Sequence, residues 1–352
     1  MSLNARRLSP QALVGLAFRL REVGVLLALL ATALFFALRA TNFMTASNWQ
    51  DIGTDVAMVV VVGVGETMVI LTRNIDLSVG SIVGLTAFLS SSTLASHNRL
   101  PLVAIALLAM AIGAALGLGN GLLVAWLRIP AIIATLATLS IYRGVLFQVH
   151  EIFGSDVFAF QLPQSFLYLA SRKLLGVPFL AILALGVALV GAATLRWTNW
   201  GRDFYAVGSN PEAARYHGIP VRRRILTAFI LSGMLAGLGG FMFAARFATV
   251  SVVSASGFEF DVITAVVIGG VNVFGGSGTI LGMVLGAVLV GTFTDGFILL
   301  RVSEFWKIAF QGFAILLAIT IDALITQQLQ EALRRRRRRE VLAARDARAA
   351  PS

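Results

Sequence analysis

Cysteine is absent from this 352-residue sequence. That omission excludes thiolate nucleophiles, iron–sulfur clusters, thiolate zinc sites and any disulfide framework, and it leaves the redox compartment unreadable. Histidine is scarce, and His97, His150 and His217 lie far apart with no HExxH pair, which argues against a metal site. Lysine occurs only at Lys173 and Lys307, neither within the GxxxxGK[ST] loop that cradles nucleotide phosphates. The sequence therefore shows no engine of its own. It also lacks a serine elbow, a polar-loop carboxylate dyad and a His-centred cluster, so a membrane enzyme is disfavoured. Charge is low as well, at 13% of residues, against about 25% in soluble domains. Heptads and a fixed glycine period are missing, which removes coiled-coil and collagen-like readings.

Apolar residues are abundant, at 58% before the 34 glycines are added. A soluble fold of this length could not hide so much apolar surface, so the bilayer is its second solvent. Apolar windows were compared with the ~20 residues needed to cross ~30 Å of hydrocarbon. They predict an all-α polytopic bundle of about ten transmembrane helices, over 23–38, 56–72, 77–95, 102–127, 131–149, 177–195, 225–247, 258–273, 280–300 and 305–325. Several windows are short, and a count of eight or nine follows if a re-entrant segment has been promoted. The first window reads as a retained signal-anchor, because no small-x-small cleavage site follows it.

The net charge of +11 suggests nucleic acid until it is located. Residues 334–352 alone carry eight Arg against Glu340 and Asp346, which suits a cytoplasmic tail resting on anionic headgroups rather than on nucleic acid. With the N-terminus inside, twenty basic residues fall on the cytoplasmic side and seven on the other. The positive-inside rule then places both termini in the cytoplasm, and an odd number of spans would spoil the bias. The domain plan is a cytoplasmic segment 1–22, a membrane domain 23–325 and a basic tail 326–352.

The long polar segment 197–224 carries the most information. Ser209 or Asn210 can cap a helix, Pro211 suits its first position, and Glu212 favours its positive end. Gly218 supplies an αL stop, so a short helix is predicted over 211–217. Such definite start and stop signals favour a docking element over a solvated connector. Glycines at 113 and 117, 233 and 237, and 282 and 286 set small residues one turn apart for close helix packing.

Between the second and third windows, Asp76 precedes an apolar helical stretch, and its carboxylate can accept from N–H groups two or three residues on. The turn 74–81 reads either as a capped re-entry into the membrane or as a polar turn at the mouth of a pathway. The cadence of 80–84 recurs at 278–282, a thin hint of internal repetition. Glu66 and Arg143 lie inside windows, where charge is expensive and faces protein or water. Their depths differ by roughly 9 Å at 1.5 Å per residue, so no direct pair is expected. For Glu66 a path-lining role and an interhelical contact stay equally open. For Arg143 a packing role is what the family resemblance described next implies.

At this point the sequence resembles a family. Glu212-Ala213-Ala214-x3-Gly218 matches the opening of the EAA signature of ABC-importer permeases, although the Ile and Leu-Pro that complete the signature are not found. A fuller ordered set resembles the monosaccharide-importer branch, which takes up ribose, xylose, arabinose, rhamnose and autoinducer-2. The set comprises Asn74-Ile75-Asp76-Leu77-Ser78-Val79-Gly80-Ser81, Asn120-Gly121, Ile129-Pro130-Ala131 with Thr135-Leu136, Arg143-Gly144, 201–218, and Gly269-Gly270 with Gly275-Gly276-Ser277-Gly278. It covers roughly 25–325, and Leu71-Thr72-Arg73-Asn74 looks most like the rhamnose and autoinducer-2 permeases.

The resemblance implies a permease fold of the vitamin-B12-importer type, in the bacterial inner membrane, paired with a second copy or a paralogue. It implies a separate ATPase, holding ATP and magnesium, docked on a coupling segment that includes Gly201, Arg202, Gly208, Asn210, Pro211, Glu212, Ala213, Ala214 and Gly218. No cofactor is expected in this chain. An extracytoplasmic sugar-binding protein would deliver solute, and Arg172, Lys173, Arg301 and Lys307 are candidates to meet its carboxylates. Glu66, Asn74, Asp76 and Ser78 are candidates for the path. The alternatives are a branched-chain amino-acid permease and a stand-alone ion-coupled carrier.

Overall fold

The computed structural model describes residues 10–153, 156–303, 305–317 and 319–320, with side chains from residue 22 onward except Phe153. The basic tail 326–352 lies outside the described residues. Thirteen helices are described: α1 Pro10–Arg39, α2 Ala46–Leu71, α3 Val79–Ser96, α4 Leu102–Ala125, α5 Ala131–Phe153, α6 Gln164–Ser171, α7 Phe179–Trp197, α8 Asn199–Ser209, α9 Pro211–Tyr216, α10 Val221–Phe247, α11 Phe258–Ile268, α12 Ile280–Leu299 and α13 Phe305–Leu317. One antiparallel hairpin, β1 Lys173–Leu174 with β2 Val177–Pro178, precedes α7. Among the described residues, eight helices are long and apolar enough to cross a membrane.

The bundle is built around α2. Apart from Glu66 and Thr67, its sequence from Val56 to Leu71 is apolar on every side, and every residue from Ile52 to Leu71 except Gly53, Asp55 and Val59 is buried. A helix apolar all round belongs inside. Helices α3, α7, α10, α11 and α12 all pack against α2 or its immediate neighbours. Where α4 meets α10, Gly113 and Gly117 lie directly against Gly233 and Gly237, so the backbones touch. Gly282 and Gly286 do the same against Gly269 and Ala265. All three spaced glycine pairs are therefore contact points, as small-residue packing in lipid requires.

The loops gather at two opposite ends. At one end Asn48 donates to Asp295 at 2.8 Å, Arg246 pairs with Asp51 at 3.2 Å and Asp55 at 2.7 Å, and Val157 bridges Val250. At the other, Gly276 N–H donates to Leu71 O at 3.0 Å, Tyr205 donates to Gly278 O at 3.1 Å, and Thr279 donates to Glu22 at 2.6 Å. This alternation follows the predicted order of crossings.

One expected helix is corrected. The window 258–273 contains only the eleven-residue α11, about 16 Å long at 1.5 Å per residue and half of what a full span needs. The chain still passes from one end to the other, using irregular backbone on both sides of α11. Gly270, at φ +87°, ends the helix. On the other side Arg143 donates to the carbonyl of Ser254 at 2.8 Å and of Val252 at 3.3 Å. Non-helical backbone at membrane depth survives only with such internal partners. Arg143 thus has the packing role expected of it, and it makes no pair with Glu66. Of the window 305–325, helix is described over Phe305–Leu317 and at 319–320.

Candidate functional site

Two structures make up the site, and both lie toward the α8–α9 end. The first is a protruding knuckle. Asn210 caps α9, its Oδ1 accepting from the N–H groups of Glu212 and Ala213 at 3.0 Å each. Pro211 takes the first turn and Gly218 leaves the helix at φ +79°. The helix ends one residue earlier than predicted, at Tyr216. Ala214 turns inward onto Val207 and Val221, while Glu212, Arg215, Tyr216 and His217 face out. Tyr216 is 92% exposed, an unusual position for an aromatic, and nothing among the described residues covers it. Asn210→Ala should lower stability by about 1 kcal/mol, the usual worth of an N-cap. A melting temperature unchanged from that of the parent would show that the cap contributes nothing.

Sequence reasoning missed the helix that carries this knuckle. α8 presents Phe204 and Val207 inward and is fixed to α10 by Asp203–Arg224 at 2.8 Å. Gly201 lies on the Thr194 carbonyl and Gly208 on the Leu71 carbonyl and the backbone of Gly276, so both are packing glycines. Arg202 stays exposed and donates to Asn199. Arg73, itself at φ +67°, reaches across to the end of α8, donating to the carbonyls of Gly208 and Ser209, the latter at 2.7 Å. A guanidinium on terminal carbonyls satisfies orphan acceptors and suits the negative helix end. Burial holds the Tyr205 phenol above its usual range, so it remains a donor to Gly278. The knuckle is therefore wired to the end of α2 and to the glycine-rich turn 269–279.

The second structure is a buried polar junction. After α2 the chain turns back on itself, so that Asp76 N–H donates to Glu66 Oε1 at 3.0 Å. Asp76 Oδ1 accepts from Ser78 N–H at 2.9 Å and Ser78 Oγ at 2.7 Å, the local turn its sequence predicts. Asn120 of α4 donates to Ser78 Oγ at 2.7 Å, Tyr142 of α5 reaches Asn120 at 3.2 Å, and Thr135 bonds Ile75 O at 3.2 Å. Glu66, Asp76, Ser78, Asn120 and Thr135 are fully buried. Of the four path candidates, only Asn74 is partly exposed, and its amide is spent on Thr72. The structure brings Glu66, Asp76 and Ser78 together inside the protomer.

The basic residues expected to meet a binding protein differ in exposure. Arg172, Lys173 and Arg301 are exposed, but Lys307 is half-buried and bonded to Asp261 at 3.4 Å. Lys307 is therefore not a free surface charge. Three acidic residues within predicted spans, Glu259, Asp261 and Asp295, also escaped the sequence reading. Glu259 is buried beside Gly80.

A family model described as the branched-chain amino acid transport system / permease component matches residues 48–319. The chain is 40% identical to the autoinducer 2 import system permease protein LsrC of Enterobacter sp. (strain 638), over 88% of each chain. It is 34% identical to the protein of the same name from Salmonella typhi, over 90% of each chain, and to that from Escherichia coli (strain K12 / DH10B), over 88% of this chain and 90% of the relative. No solved structure gives a significant match. A bundle of apolar helices, glycine contacts and a capped outward knuckle, matched in sequence over most of its length, makes this chain a transport subunit of the membrane rather than an enzyme, and it belongs to the family of ABC-importer permease components.

Proposed function

We propose that this chain, with a second copy or a paralogue, encloses the path of an ATP-driven importer for autoinducer-2 or a monosaccharide-like solute. The capped α9 knuckle carries the reading, because it projects Glu212, Arg215 and Tyr216 outward from a helix buried only through Ala214. A separate ATPase, with its ATP and magnesium, docks there on the cytoplasmic side. The excess of basic residues assigned to that side supports the orientation. A binding protein delivers solute at the other end. The relatives carry the autoinducer-2 name, which favours this substrate class over amino acids.

A feature of α5 supports a second copy. One stripe of its exposed surface is Ala137, Ser140, Gly144, Gln148 and Glu151, flanked by the exposed apolar side chains of Ile133, Leu136, Ile141, Val145 and Phe147, and nothing lies within 4 Å of where a Cβ on Gly144 would be. The outward face of α4 is instead Val103, Leu107, Leu118 and Leu122. Lipid suits the second face, and water or protein suits the first.

Reconstituted with ATPase and binding protein, the parent chain should take up autoinducer-2 or ribose only with ATP. The double substitution Glu212→Lys, Gly218→Val should abolish that uptake while the chain still inserts. Uptake by the chain alone would refute the importer reading in favour of a carrier. Accumulation of leucine instead of the sugar-like solutes would move it to the amino-acid class.

A further inference from the structure

The hairpin before α7 carries an observation that transport does not explain. Lys173 pairs with Pro178 and Leu174 with Val177, which leaves Leu175-Gly176 as a two-residue turn. Both turn residues have positive φ, +53° and +83°. That turn type favours Asn-Gly or Gly-Gly, because a side chain at the first position is strained. Leucine takes the strained position here and is 97% exposed, with Leu174 60% exposed beside it. Among the described residues, nothing covers the Leu175 side chain. The tip is not loose, because Gln50 of α2 donates to Gly176 O at 3.1 Å and accepts from Lys173 Nζ. The fold thus fixes an apolar tip and points it away from itself.

What covers it is indicated by position and charge. The tip lies four residues before the start of α7, whose outward residues Leu185, Leu189 and Val190 are those of a lipid-facing helix. Two cations, Arg172 and Lys173, stand immediately before the leucines. Apolar side chains at the acyl boundary, with cationic heads on long stems at the phosphates, are the composition of an interfacial anchor. Exposed Tyr168 and Phe160, in the same excursion, are residue types that settle at that depth.

We propose that the 172–177 hairpin is a membrane-surface anchor, with Leu174 and Leu175 among the upper acyl chains and Arg172 and Lys173 at anionic headgroups. It replaces the expectation that these two cations meet a binding protein. The anchor holds the outer end of α2 to the bilayer surface through Gln50.

The cysteine-free sequence makes the test direct, since any introduced thiol is unique. Leu175→Cys, labelled with bimane, would be reconstituted in phosphatidylethanolamine–phosphatidylglycerol vesicles whose lipids are brominated at upper acyl positions. Asn98→Cys, in the exposed turn between α3 and α4 at the same end, is the water-facing control. The expected result is loss of most bimane emission at 175 with little loss at 98. Leu174→Cys should behave like 175, which guards against a local effect of one substitution. Equal, unquenched emission at 174, 175 and 98 would overturn the proposal. So would a label at 175 that ignores brominated lipid and is shielded only when the solute-binding protein is added.

Discussion

Gly208→Ala should abolish ATP-driven uptake and lower the melting temperature of the purified chain sharply. The α-hydrogen of Gly208 lies where three backbones converge, and a Cβ there would overlap Leu71 O and the amide of Gly276. Neither obstacle is the end of a flexible side chain, so the relief must come from separating α8 from α2 or from the 269–279 turn. Separation breaks the Gly276–Leu71 hydrogen bond and lifts Gly208 and Ser209 off the Arg73 guanidinium. Overpacking of 1–3 kcal/mol together with about 1 kcal/mol for each of the three lost hydrogen bonds gives a penalty on the order of 4–6 kcal/mol. Gly186→Ala is the matched control. Nothing lies within 4 Å of a Cβ on Gly186 in the interior of α7, and alanine there should be neutral or stabilising by up to about 1 kcal/mol. If Gly208→Ala melts and transports like the parent, the close approach is not a feature of the working protein.

The same contact shows why some of this molecule was legible in its sequence and some was not. The α9 knuckle could be read because its signals are local: a capping Asn210, Pro211 after it, and Gly218 where φ turns positive. Hydropathy located the long helices because lipid imposes length and apolarity on each one separately. α8 was passed over because Asn199 to Ser209 is polar on average, although Trp200, Phe204 and Val207 repeat at helical spacing. α11 was overestimated because a hydropathy window continues through Gly269-Gly270, and it cannot register that the backbone leaves the helix there. Glu259 was hidden inside that same window. In the junction, the turn from Asp76 to Ser78 was readable within three residues. Its partners Asn120 and Thr135 are 44 and 60 residues removed from the turn residues they bond. Only the packing of α4 and α5 against α3 brings them together.

Asp76→Ala should be the most damaging change within the junction, and it separates the two roles left open for these carboxyls. The Asp76 carboxyl accepts from Ser78 N–H and Ser78 Oγ and lies 3.4 Å from the Asn120 amide, among groups wholly shielded from solvent. Alanine strands those donors at about 1–3 kcal/mol each where they find no new partner. Asp76→Asn keeps one acceptor for Ser78 and should fall between parent and alanine. Glu66→Gln keeps the Oε1 acceptor that holds Asp76 N–H, and it should melt and transport nearly as the parent does. Glu66→Leu removes that acceptor and should not. A junction that merely braces the re-entrant turn requires uptake and melting temperature to fall together across the four variants. If Glu66→Gln or Asp76→Asn instead loses transport with its melting temperature intact, the carboxyls act on the solute's path, and the buried arrangement seen here is one state of a site that opens.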